Sequence, residues 1–228
     1  MALWQAPNSH ALQTKSQSAL NDPTEFLLGR FRKIGNLGHF LTPTSATWLP
    51  GNDKFAISYR ENIFSIYDVQ TGNEMEDFSF APELSGNSLR QSRQQDMSML
   101  TQINAIEVCP ELNMLVAGTE DSKLRFFDLG SSKVVNSLIG HADSVSCLRS
   151  LAVQGQPFLI VSGGHDGAVR VWDIRTFQLL YDMAAHRRKY EEGTLALAAC
   201  PLGNTMPLLA SGGADSIIKI ITTAATST

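Results

Sequence analysis

The sequence predicts an all-β fold, an incomplete β-propeller arc of about four blades, each an antiparallel four-stranded sheet. Three observations lead there. A ten-residue pattern recurs four times, two short apolar runs precede every copy, and the aspartates closing the first three copies, Asp68, Asp128 and Asp173, are 60 and 45 residues apart.

Laid in register, the copies read YRENIFSIYD from Tyr59, TEDSKLRFFD from Thr119, GHDGAVRVWD from Gly164 and GADSIIKIIT from Gly213. Each begins on a turn and continues as a strand of alternating character, such as Val169, Val171 and Trp172 around Arg170. Immediately before the copies stand KFAIS from Lys54, MLVAG from Met114, FLIVSGG from Phe158 and LLASGG from Leu208. These runs are rich in Val, Ile, Leu and Phe and end at Gly or Asp turns, the mark of short buried strands. One strand further upstream lie TSATWLP from Thr44, INAIEVCP from Ile103, VSCLRSLAV from Val145 and TLALAACP from Thr194.

This order divides the chain into a blade over 44–78, a blade over 103–139, a third over 140–184 and a last one over 185–228. The long first interval is explained by residues 79–102, SFAPELSGNSLRQSRQQDMSMLTQ, which are polar, lack periodicity and read as an inserted flexible loop. Residues 1–43 match the pattern poorly, although Leu3-Trp4 resembles the third strand of a preceding blade. The chain ends at Thr228, shortly after the third strand of its last blade, so that blade is expected to lack its outer strand. The expectation is an open arc with exposed edges, a liability for pairing and aggregation of the kind a truncated gene product or isoform would show. A monomeric, sharply melting recombinant protein would count against it.

The composition narrows the function. Of 228 residues, 43% are hydrophobic, enough for a real core, and only 18% are charged. A net charge of -4 offers no basic field for nucleic acid or anionic lipid. No run approaches the roughly 18 apolar residues of a membrane-spanning helix. The opening MALWQAPNSH has no basic segment followed by an apolar one, so a cytoplasmic protein without membrane insertion is expected. Cys109, Cys147 and Cys200 form no CxxC pair and suit no disulfide framework. All three fall on the first strand of their repeats at nearly the same place, which reads as a small buried side chain against the next blade. No metal or other cofactor is expected.

The third repeat carries the full WD-repeat signature, with Gly140-His141 at its start and Trp172-Asp173 on its third strand. In such blades the His, a Ser of the second strand, the Asp of the tight turn and the Trp form a hydrogen-bonded set, here His141, Ser162, Asp166 and Trp172. Buried polar groups need partners: Trp supplies an indole N–H, Ser bridges, and Asp holds His. The same residue types would also serve nucleophilic catalysis. That chemistry needs an exposed Ser on a strained turn beside oxyanion donors, whereas Ser162 follows Ile160 and Val161 within a core strand. The run Gly163-Gly164-His165-Asp166-Gly167 precedes no helix and lacks the phosphate-loop lysine, so it is a hairpin turn whose glycines supply positive φ and whose His165 is exposed. The last repeat keeps a degenerate set, His186, Ser211 and Asp215, with Ile220 where Trp would stand; the second keeps Asp121 alone.

Beyond the generic repeat, the chain resembles the striatin family. TQINAIEVCPELNMLVAGTEDSKLRFFDLGSSKVVNSLIGHADSV from Thr101 is similar to a striatin blade in its Ile-Asn opening, Glu-Asp turn and Phe-Asp strand end. AAHRRKYEEG from Ala184 resembles the family's His-Arg-Lys run followed by acidic residues, and LLASGGADSIIKI from Leu208 its closing blade. The resemblance is good over 101–221, fair over 44–78 and weak before that. It implies the C-terminal part of a seven-bladed propeller in a regulatory and scaffolding subunit of protein phosphatase 2A, assembled with kinases and adaptors in the STRIPAK complex. The family's coiled coil, caveolin-binding segment and calmodulin-binding helix have no counterpart in these residues.

Two loops stand out as partner contacts. His186 is followed by Arg187, Arg188, Lys189 and Tyr190 and then by Glu191-Glu192; the run suits a phosphopeptide or an acidic partner, or else is a solvated connection whose charges cancel. The insert, with Ser85, Ser88, Arg90, Ser92 and Arg93, suits phosphorylation or serves as a spacer. A non-enzymatic interaction scaffold is therefore expected, with an adaptor of a ubiquitin ligase or a transport assembly as the alternative within the same fold.

Overall fold

Period-two alternation broken by tight turns leaves the chain little choice but consecutive antiparallel hairpins. The computed structural model describes residues 2–4, 27–30, 33, 40–79, 101–153, 156–200 and 208–222. Among them the regular structure is all strand, apart from a 3-10 turn at Pro110–Leu112.

Four sheets follow in chain order. The first holds β3 (Pro43–Trp48), β4 (Lys54–Tyr59), β5 (Ile63–Asp68) and β6 (Glu74–Ser79), and the second β7 (Ile103–Cys109), β8 (Met114–Thr119), β9 (Lys123–Asp128) and β10 (Lys133–Ile139). The third holds β11 (Val145–Val153), β12 (Gln156–Gly164), β13 (Ala168–Asp173) and β14 (Gln178–Ala184). The last has three described strands, β15 (Thr194–Cys200), β16 (Leu208–Gly213) and β17 (Ile218–Thr222). A separate pair, β1 (Ala2–Trp4) and β2 (Leu27–Arg30), precedes them. The first strands β3, β7, β11 and β15 neighbour one another in sequence, which arranges the sheets as blades of a propeller. Of the insert, residues 80–100 lie outside the described residues, and with them Ser85, Ser88, Arg90, Ser92 and Arg93.

The turns explain the recurring aspartates. Between second and third strands a residue with positive φ recurs at one register position, occupied by Asn62, Ser122, Gly167 and Ser216. The Asp before it caps the turn in two of the sheets: Asp166 accepts from the Ala168 N–H at 3.0 Å and Asp215 from the Ile217 N–H at 3.1 Å. The Asp ending the third strand of the first three sheets does the same for the next turn. Asp68 accepts from Thr71 N–H, Asp128 from Gly130 N–H and Asp173 from Arg175 N–H, at 2.7–2.9 Å.

The core is a series of layers between sheets. Ala56, Phe64 and Ile66 of the first sheet pack on Ile106, Leu115 and Phe127 of the second. Val116, Leu124 and Phe126 of the second meet Leu148, Ile160 and Trp172 of the third. Val161, Val169 and Val171 of the third meet Leu197 and Leu209 of the last. Phe64 stands edge-on to Phe127 with centroids 5.0 Å apart. Burying each such side chain contributes about 1.5–3 kcal/mol, so the layers between blades carry most of the stability.

Two expectations need correction here. Cys109 pairs with Met114 and Cys200 with Leu208, at the far end of their strands, but Cys147 pairs with Gly163 near the opposite end. Only Cys109 is buried; Cys147 is intermediate and Cys200 exposed, because the described residues put no further sheet against the last one. Of the glycines in the 163–167 run, only Gly167 has positive φ. Gly163 and Gly164 are needed for close approach: a Cβ would lie 2.6 Å from Thr194 Cγ2 at the first and 2.3 Å from His141 Nδ1 at the second.

Candidate functional site

Two arrangements of polar residues stand out, one inside the third blade and one on the face of the arc. The first begins with Gly140, where any Cβ would fall 2.5 Å from the Trp172 ring, so only glycine lets the chain enter β11 across the indole. His141 then reaches under the β12–β13 turn with its side chain wholly buried. Its Nδ1 lies 3.0 and 3.2 Å from the two Asp166 oxygens, and its Nε2 is 2.7 Å from Ser162 Oγ. Trp172 Nε1 donates to the same Ser162 Oγ at 2.8 Å.

The direction of this chain follows from charge. The Asp166 carboxylate can only accept, so Nδ1 carries the proton between them and Nε2 accepts the Ser162 hydroxyl proton, while the Ser162 oxygen accepts the indole N–H; Arg170, whose Nη1 also stands 2.7 Å from Nδ1, donates to the same carboxylate. Burial pushes the Asp166 carboxyl up, but the bonds from His141 and Arg170 overcome it and hold the group far below the ordinary carboxylate range. Arg170 was not singled out by the sequence reading; its guanidinium donates to Asp166 at 2.7 Å and to Asp182 of β14 at 3.2 Å. The signal available was its place in the repeat, between Val169 and Val171 on the polar side of β13.

The last blade repeats the geometry without the indole. His186 Nδ1 lies 3.0 Å from Asp215 and Nε2 2.9 Å from Ser211 Oγ. The expectation that Ile220 stands in the tryptophan position is corrected by register. Trp172 pairs with Ile160, two residues before Ser162, and the residue pairing two before Ser211 is Ile221. Ile221 packs into the layer against the third blade, as its equivalent Trp172 does against the second, whereas Ile220 points away and is exposed. In the second blade Asp121 is held instead by Arg125, through bonds of 2.9 and 2.7 Å.

The second arrangement is a cleft of about 800 Å³ on the face bearing the β8–β9 and β12–β13 turns. Its floor is made where first strands of adjacent blades are tied together. Asn104 of β7 donates to the Val145 carbonyl at 2.9 Å, and Ser146 of β11 donates to the Thr194 carbonyl. Its rim is formed by Glu120, Asp143, His165 and the loop Arg188–Glu192. That loop closes on a tight turn with reciprocal Lys189–Glu192 backbone bonds of 2.8 and 3.0 Å. Tyr190 and Glu191 sit at its tip with φ of 54° and 65°, the pattern of a type I′ turn, which lifts Tyr190 to 85% exposure.

Of the basic run, Arg188 is already paired with Asp143 at 2.6 Å, and the Lys189 ammonium lies 5.2 Å from the Tyr190 ring centre. Arg187 is exposed, and its backbone N–H bonds Asp215 at 3.2 Å. The rim therefore presents the carboxylates of Glu120, Glu191 and Glu192 beside a neutralised Arg188, a field that disfavours an acidic ligand within the cleft itself. Among the described residues no group of three or more His, Cys, Asp or Glu is placed to hold a metal ion, and no helix is long and apolar enough to cross a membrane.

Comparison with known proteins agrees with this geometry. The family described as WD domain, G-beta repeat matches residues 132–173, the span from β10 to the end of β13 that holds the complete polar set. The fold is similar to two computationally designed proteins. It covers 47% of the Ika8 chain with 82% of its own length, at a TM-score of 0.57 and 22% identity. It covers 99% of the Ika4 chain with 86% of its own, at 0.58 and 21%. In sequence, the chain is 30% identical over 219 residues to the striatin homolog of Dictyostelium discoideum, covering 94% of this chain and 25% of that protein. It is 33% identical over 163 residues to human striatin-4, covering 72% and 19%. The chain is thus a striatin-family homologue of WD-repeat architecture, matched over most of its own length and spanning a quarter or less of the relatives' length.

Proposed function

We propose that the chain is a non-enzymatic protein-interaction scaffold, a striatin-like regulatory component associated with protein phosphatase 2A and STRIPAK signalling in the cytoplasm, corresponding to the C-terminal part of the striatin propeller. The observation that carries this reading is the similarity to striatins along 94% of the chain. The polar geometry supports it. Ser162 is fully buried and its hydroxyl is committed to both His141 and Trp172, so the Ser-His-Asp set serves the blade and presents no nucleophile to solvent. Arg187, Arg188, Lys189 and Tyr190 form the partner contact of this reading, with Arg188 and Tyr190 lining the face cleft.

Affinity purification of the tagged chain with mass spectrometry tests it. Phosphatase 2A subunits and STRIPAK kinases are expected in the eluate, and they are expected to diminish with Arg187→Glu and Arg188→Glu. An eluate lacking both groups of proteins refutes the association, and an unchanged set after the charge reversals refutes the contact.

A further inference from the structure

We propose that Tyr190 is a phosphorylation site for a protein tyrosine kinase, and that the added phosphate switches off the contact made by Arg187, Arg188, Lys189 and Tyr190. The site stands on the geometry of one turn; the switching rests on the partner contact put forward above.

Accessibility singles out this tyrosine among the four in the chain. Tyr59 and Tyr67 are 4% and 3% exposed, and their hydroxyls bond each other at 2.8 Å. Tyr181 is 58% exposed but lies within β14 opposite Val171, so presenting it as an extended substrate would strip a blade of its outer strand. Tyr190 is 85% exposed, on a turn closed by the two Lys189–Glu192 backbone bonds. That turn opens at little cost. Its central positions need positive φ, which Asn and Gly adopt readily, yet they hold Tyr190 at 54° and Glu191 at 65°. Side chains of this size are strained in the left-handed region. Opening releases the strain and returns two exposed backbone bonds to water, so the closed turn has little margin over an extended one.

Charge decides what the phosphate does. Arg188 is held by Asp143, whereas Arg187 and Lys189 form no ion pair among the described residues, and the Lys189 ammonium stands 5.2 Å from the Tyr190 ring centre. Residues 187–192 carry three cations and two carboxylates, a net charge of +1; a phosphate of about -2 makes it about -1. A loop that attracts an acidic partner then repels it. In the transfer, Tyr190 Oη forms a bond to the γ-phosphorus of a nucleoside triphosphate, whose bond to the β,γ-bridging oxygen breaks. The phenolic proton passes to the kinase's base, and the nucleoside diphosphate leaves.

The full 228-residue chain and a free peptide spanning Ala184–Gly193 are each incubated with a panel of recombinant tyrosine kinase domains and ATP, and phosphate is mapped by mass spectrometry. Tyr190 in the chain is expected to react within about tenfold of the peptide and about tenfold faster than Tyr181, with Tyr59 and Tyr67 unmodified. Recovery of phosphatase 2A subunits from lysate on the tagged chain is then expected to fall about fivefold or more after kinase treatment. For Tyr190→Phe, recovery with and without treatment is expected to be the same. Refusal of chain and peptide by every kinase, a chain more than about a hundredfold slower than the peptide, or Tyr181 modified first overturns the site. Recovery that falls with Arg187→Glu and Arg188→Glu but not with phosphate refutes the switch alone, whereas recovery that ignores those reversals refutes the contact and the switch with it.

Discussion

Replacing Ser162 by alanine isolates what the buried polar chain contributes. The hydroxyl is fully buried, accepts the Trp172 indole N–H at 2.8 Å and bonds His141 Nε2 at 2.7 Å. Alanine fits the space but strands two groups, each with a desolvation penalty of about 1–3 kcal/mol when left unpaired. His141 keeps its bond to Asp166, so the expected loss is about 2–4 kcal/mol. In a chain of this length that corresponds to a fall in melting temperature of about 4–16 °C. The internal control is Ser211→Ala in the last blade. There His186 Nε2 alone loses a partner, since no indole is present, and the expected cost is about 1–3 kcal/mol. Urea titration of the two variants, followed by tryptophan fluorescence, compares them directly. Adding Trp172→Phe to Ser162→Ala removes one stranded donor, so the double variant is expected to lose less than the sum of the singles. A Ser162→Ala midpoint within error of the parent, or a cost equal to that of Ser211→Ala, would refute this account of the network.

Two further outcomes follow from the same geometry. Burial pushes the Asp121 carboxyl up, but bonds from Arg125 and Thr119 and the Arg125 charge outweigh it and bring the group from 3.8 down to about 2. A depressed folded-state value contributes stability that is present above about pH 4 and lost as pH falls toward 2, about 1 kcal/mol for this partly exposed residue once solvent screening is allowed for. Urea midpoints measured between pH 5 and pH 2.5 are expected to fall less steeply in Asp121→Asn than in the parent, and parallel slopes would contradict the assignment. Alkylation gives a second check. Iodoacetamide on the folded chain is expected to label exposed Cys200 first and buried Cys109 only on unfolding, with burial pushing the Cys147 thiol up and slowing it too; peptide mapping that finds Cys109 labelled early would contradict the packing of the second blade.

The all-β class and the repeated blade were legible because their signals are local. Alternation in β5, β9, β13 and β17, and the turn aspartates Asp68, Asp128 and Asp173, each act within a few residues, so one ten-residue window contains the cause of its own conformation. Residue types also named the His141, Ser162, Asp166 and Trp172 set, since a signature at fixed register was visible in the chain. The sequence had no means of showing what depends on neighbours from other strands and other blades. Ile221 rather than Ile220 takes the tryptophan position because register with β16 decides it. Cys109 is buried because the third sheet packs on its side of the second, and Cys200 is exposed because no described sheet packs on the corresponding side of the last. Arg188 is neutralised by Asp143, 45 residues away. Local pattern by itself determined which strands form and in what order; only the packing of sheet on sheet decided which polar groups are spent inside the blades and which remain to meet a partner, because burial and charge pairing are properties of the surroundings and not of the segment.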